Sequence, residues 1–89
     1  MSDTPVFWVY ILKCSDGSMY TGQTIDLSRR VALHNAGKGA IFTRGRRPVT
    51  LVYAEKTASR GDALRKEKEI RRLPKKAKEL LLKTWNDKT

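Results

Sequence analysis

An unbroken run of aromatic and β-branched residues, FWVYILK at 7–13, is followed almost at once by a second, weaker strand-like stretch, SMYTGQT at 18–24. Ser15, Asp16 and Gly17 separate the two. A three-residue hairpin loop needs a positive φ at its third position, which Gly17 adopts without a Cβ clash. That loop sets Cys14 opposite Ser18, Leu12 opposite Tyr20 and Tyr10 opposite Gly22. Strand side chains alternate, so both tyrosines and the glycine share one face, and a small open concavity walled by two phenols is expected at Gly22. A slip of one residue would put the tyrosines on opposite faces.

A helix is expected immediately afterwards. Thr24 or Asp26 can cap its start, and Gly37 is placed to end it in the left-handed conformation. Leu27, Val31 and His34 fall on its inward stripe, while Arg30 and His34, four apart, are neighbours on its edge. Arg29 points elsewhere.

The ordered set VYI, YTG and R-x-x-x-H resembles the signature of the GIY-YIG nucleases. The family's two tyrosines fall on Tyr10 and Tyr20, its glycine on Gly22, its helix arginine on Arg30 and its histidine on His34. Val9 stands where the family has its leading glycine, and Thr21 takes the middle position of the second motif. Neither position carries a chemical role in the family pattern. The later TRGRRP stretch is similar to the small single-domain branch of the same family.

The net charge of +10 on 89 residues favours a polyanionic partner, and nucleic acid is preferred over a membrane surface because the charge is dispersed among aromatics. No apolar run is long enough to span a bilayer, and residues 1–5 do not form a signal peptide. The single cysteine, Cys14, excludes an internal disulfide and agrees with a cytoplasmic setting. Its expected place is a half-buried strand end. In the glycine- and arginine-rich loop 37–48, Lys38, Arg44, Arg46 and Arg47 are candidate phosphate contacts.

VTLVYAE at 49–55 reads as a third strand joining the hairpin, with Tyr53 packing. Ser59 and Asp62 fit a capping box that opens a helix over 60–73, with Ala63, Glu67 and Ile70 inward and Leu64 and Leu73 on the flanks. Glu67 interrupts an apolar face, which is costly unless a cation compensates it. An ion pair with Arg71 and a metal site are equally compatible with its position, and the resemblance favours the metal. A last helix from Pro74 to about Trp85 carries a stripe of Ala77, Leu81 and Trp85, with Leu80 beside it.

The expectation is one α+β domain over 1–89: a small three-stranded antiparallel sheet flanked by about three helices, an ordered core at 6–85, and flexible tails at 1–5 and 86–89. The resemblance implies a metal-dependent endonuclease acting on DNA, with RNA as a second substrate. Its site would comprise Tyr10, Tyr20, Arg30, His34 and Glu67, with Gly22 beside the substrate. Glu67 would ligate one Mg²⁺ or Mn²⁺, and either tyrosine, Tyr10 preferred, would serve as base once neighbouring cations lower its pKa from about 10. The alternative is a non-catalytic, basic nucleic-acid-binding module on the same scaffold.

Overall fold

The computed structural model describes residues 6–87. Strand β1, Phe7–Lys13, lies between β2, Met19–Thr24, and β3, Thr50–Thr57, in an antiparallel sheet of order β2-β1-β3. Its unbroken apolar run follows from this central place, because residues of both parities must be buried. Val9, Ile11 and Tyr53 face one layer, and Tyr10, Leu12, Cys14 and Val49 face the other.

The hairpin has the expected register, with Tyr10 opposite Gly22 and Leu12 opposite Tyr20. Gly17 takes φ 87°, and the Asp16 carboxylate accepts hydrogen bonds from the Ser18 N–H and hydroxyl. Between β1 and β3 the register shifts, so that Ile11 meets Tyr53 while Leu12 meets Leu51. This bulge lets β3 send Leu51 and Tyr53 to opposite faces despite their even spacing.

The layer over the tyrosine face is α1, Leu27–Asn35, with a short helix α2, Ile41–Arg44. Asp26 caps α1 by accepting from the Arg29 N–H, and Thr24 instead accepts from the Asp26 N–H. At the other end Gly37, with φ 78°, closes a Schellman motif: the Lys38 N–H donates to the Leu33 carbonyl and the Gly37 N–H to that of His34. The loop expected at 37–48 is therefore interrupted by helix at 41–44, giving four helices among the described residues where about three were expected.

The opposite layer is α3, Arg60–Arg72, packed on β1 and β2, and α4, Lys75–Asp87, packed on β3. Ser59 caps α3 through the Asp62 N–H. Asp62 does not return the bond to complete a box and pairs with Arg65. Ala63 and Ile70 are buried, but Leu64, expected on the flank, is exposed. On α4, Leu82 packs with Leu81 and Trp85, whereas Leu80, expected beside the stripe, is 66% exposed. Pro74 lies just ahead of α4, its carbonyl accepting from the Lys78 N–H. That helix runs two residues past Trp85, and the tails expected at 1–5 and 88–89 lie outside the described residues. Among the described residues no helix is long and apolar enough to cross a membrane.

Candidate active site

Strand β1 delivers Tyr10 to the centre of the α1-facing layer, where it is 2% exposed. Its partner position is bare: a Cβ on Gly22 would lie 2.6 Å from the Tyr10 hydroxyl oxygen. The concavity expected there is thus filled by the phenol itself, and Gly22 is what admits it. Tyr20, two positions away on the same face, stays half-buried with its ring centroid 6.4 Å from that of Tyr10 and 5.2 Å from that of His34.

Helix α1 brings in His34, buried at 1% exposure, with Nε2 3.1 Å from Tyr10 Oη and Nδ1 2.7 Å from Thr43 Oγ1. The proton positions follow from the last partner. The Thr43 hydroxyl donates its only hydrogen to the Ala40 carbonyl at 2.9 Å, so its oxygen accepts from His34. Nδ1 therefore carries a hydrogen, and in the neutral ring Nε2 accepts from the Tyr10 hydroxyl. Burial, reinforced by the Arg30 charge, holds His34 below its ordinary pKa and keeps it neutral. Burial likewise raises the Tyr10 pKa, with Tyr20 and Glu67 adding and Arg30 opposing. The expected lowering of the phenol is thus reversed in the protein alone.

Two residues in this arrangement carry no signal that periodicity could detect. Thr43 sits on the four-residue α2, and Gly39 packs so tightly on His34 that a Cβ would overlap the imidazole. A Gly and a Thr spaced five and nine residues beyond the histidine are the only trace in the sequence.

Arg30 is half-buried on the edge of α1, and although its N–H donates to the Asp26 carbonyl, its guanidinium has no hydrogen-bond or ion-pair partner among the described residues. It lines a 310 Å³ cleft with Gln23, Thr24 and Arg60, so its guanidinium is available to an anion. Glu67 arrives from α3 on the other side of the sheet. Its side chain is 13% exposed and lies 3.5 Å from Arg71 Nη2, which also donates to the Thr21 carbonyl. The ion pair anticipated as one reading of Glu67 is present, and the carboxylate still acts electrostatically on Tyr10.

The four basic loop residues divide. Arg46 stacks on Phe42, pairs with Asp16 at 3.0 Å and donates to the Phe42 carbonyl, fastening α2 to the hairpin. Arg47 donates to the Arg44 and Asn35 carbonyls over Gly37. Lys38 and Arg44 are exposed, with no side-chain partner among the described residues.

The sheet of order β2-β1-β3 carries this tyrosine, histidine, arginine and glutamate set, and the family model of the GIY-YIG catalytic domain matches residues 6–84. The chain belongs to the GIY-YIG family. Similar proteins include UPF0213 proteins: one from Halobacterium salinarum is 53% identical over 73 residues, covering 82% of this chain and 95% of its own. Another from Staphylococcus haemolyticus is 51% identical, covering 80% and 87%. The solution NMR structure of a UPF0213 protein from Bacillus halodurans matches with TM-score 0.58 at 46% identity, over 89% of this chain and 84% of that one. That of a protein from E. faecalis gives 0.62 at 38%, over 97% and 92%.

Proposed function

We propose that this protein is a metal-dependent phosphodiesterase that cleaves nucleic acid, with DNA the first substrate to test and RNA the second. The observation that carries the reading is the directed chain of hydrogen bonds from Tyr10 through His34 to Thr43. A phenol with a raised pKa is a poor source of phenolate. It still passes a proton when an acceptor waits behind it: a water proton moves to Tyr10 Oη as the Tyr10 proton moves to His34 Nε2. The resulting imidazolium keeps donors on both nitrogens, with Thr43 accepting one of them. The deprotonated water then attacks phosphorus as the bond to the departing oxygen breaks. Arg30 holds the phosphate and offsets its charge.

Glu67 is the residue that would hold a divalent cation. A lone carboxylate suits Mg²⁺ or Mn²⁺, which keep several waters and take further oxygens from the substrate. A protein-built cage does not fit, since the described residues gather no group of three or more His, Cys, Asp or Glu side chains. When bound, the cation supplies charge compensation for the phosphate oxygens and the leaving group.

The non-catalytic binding module is the second reading, and the near-complete burial of Tyr10 is the observation on its side. Cleavage assays on DNA and RNA with Mg²⁺, Mn²⁺ or EDTA separate the two. The nuclease reading expects metal-dependent product, lost by at least a hundredfold in Arg30→Ala and Glu67→Ala proteins that still bind substrate. Salt-sensitive binding without product on any substrate would overturn it.

A further inference from the structure

Beside the site the structure holds a concavity of 320 Å³ lined by Met19, Tyr20, Thr21, Phe42, Arg71 and Lys78. Its volume lies at the lower end of small-molecule sites, about 300–1,000 Å³. One wall is aromatic. The rings of Tyr20 and Phe42 lie 6.0 Å apart with their planes 29° from parallel. Phe42 is 39% exposed, on a short helix whose buried side chain is Thr43. Arg46, stacked on Phe42 with its guanidinium 4.2 Å from the ring centre and tied to Asp16, holds that ring in place. The other wall is cationic, formed by Arg71 of α3 and Lys78 of α4, and no carboxylate is among the six lining residues. The pocket also adjoins the reacting groups, because it includes Tyr20 and because Arg71 is 3.5 Å from Glu67.

We infer that this concavity receives an unpaired nucleobase next to the scissile phosphate, so that the preferred substrate carries a single-stranded nucleotide at the cleavage point. The inference rests on the nuclease reading and names its substrate class. A planar π-face against an aromatic wall, with phosphates led along Arg71 and Lys78, is the chemistry by which single strands are held without sequence preference. A base inside a continuous duplex is stacked on its neighbours and cannot enter. The aromatic wall therefore selects for tails, flaps, loops and single strands over uninterrupted duplex.

The test uses the full chain in EDTA, where cleavage is suppressed, with a duplex bearing a short single-stranded tail that contains 2-aminopurine. The same duplex fully paired, and vesicles of anionic phospholipid, are the comparisons. The tailed duplex is expected to bind about tenfold tighter than the paired one, with quenching of the fluorescent base on stacking. Phe42→Leu, which keeps apolar volume but loses the π-face, is expected to abolish the preference and the quenching, and Phe42→Trp to retain both. Equal affinity for tailed and paired duplex, an undiminished preference in Phe42→Leu, or binding to the vesicles alone would each overturn the inference. The nuclease reading is scored separately, by product formed from either duplex after Mg²⁺ is added. Cleavage without quenching would therefore remove the base pocket and leave the nuclease, while quenching without cleavage would do the reverse.

Discussion

His34 is useful because its two nitrogens are assigned by partners on different elements. Thr43 fixes the hydrogen on Nδ1, and Tyr10 meets the lone pair on Nε2. Gly39 and Gly22 make room for the imidazole and the phenol, respectively. These glycines are required for proximity, whereas a Cβ at Gly45 would meet nothing within 4 Å. Gly39→Ala is expected to lower the melting temperature and cleavage rate together, by roughly 1–3 kcal/mol of overpacking, while Gly45→Ala leaves both near wild type. Thermal melts of the two variants beside the cleavage assay check this contrast. The shared face of Tyr10 and Tyr20 and the helix positions of Arg30 and His34 were legible in the sequence because strand and helix periods place them, whereas the roles expected of them came from the family resemblance. Thr43 and Gly39 were not, because they reach His34 through space from a stretch without a repeating pattern.

At the scale of elements, the ends of α1 and α2 are held by side chains rather than by an apolar face. The Asn35 amide forms two bonds with Val49, donating to its carbonyl at 3.1 Å and accepting from its N–H at 2.7 Å, which fixes α1 against the entrance of β3. Asn35→Ala leaves that part-buried backbone pair unsatisfied and is expected to cost about 1–3 kcal/mol in denaturant unfolding. A loss below about 0.5 kcal/mol would show that water replaces the amide. Arg46 and Arg47 serve the same end, bonding Asp16 and the Phe42, Arg44 and Asn35 carbonyls. Composition revealed that the loop is basic, but only tertiary contacts distinguish an arginine that binds its own chain from one left for phosphate. The three strands and three longer helices were readable from alternation, caps and stripes. Helix α2 was not, since four residues are too few to show a 3.6-residue period. The flanking places given to Leu64 and Leu80 assumed a wider buried stripe than one packed face of each helix provides.

Over the whole molecule, the sheet separates two tasks: one layer orients the tyrosine and histidine pair, and the other supplies Glu67, Arg71 and Lys78. The strand order was not read from the sequence, although the unbroken apolar run of β1 beside the more polar β2 is the trace that its central place leaves there. Placing β1 in the centre is what buries Tyr10 from both sides. The +10 charge is distributed over both helical layers, so nucleic-acid binding is expected to weaken linearly in log Kd against log salt. A slope of roughly 0.7–0.9 per phosphate contacted is expected, and Lys38→Ala and Arg44→Ala should each reduce it by about one contact. Titrations at several salt concentrations measure this, and an unchanged slope in both variants would move the phosphate track away from the 37–48 loop.

The relay from Tyr10 through His34 to Thr43 is tested most directly by the pH dependence of single-turnover cleavage in wild type, Thr43→Val and Thr43→Ser. His34 accepts a proton only while neutral. With its pKa held below the ordinary 6.5, the rate is expected to be level at neutral pH and to fall about tenfold per pH unit only once the pH drops below that lowered pKa. Thr43→Val keeps the volume but removes the acceptor for Nδ1–H, which disfavours the imidazolium. It is expected to lower the plateau about tenfold and to move the acid limb to lower pH, with Thr43→Ser restoring both. A Thr43→Val protein whose plateau rate and acid limb both equal those of wild type would contradict the relay.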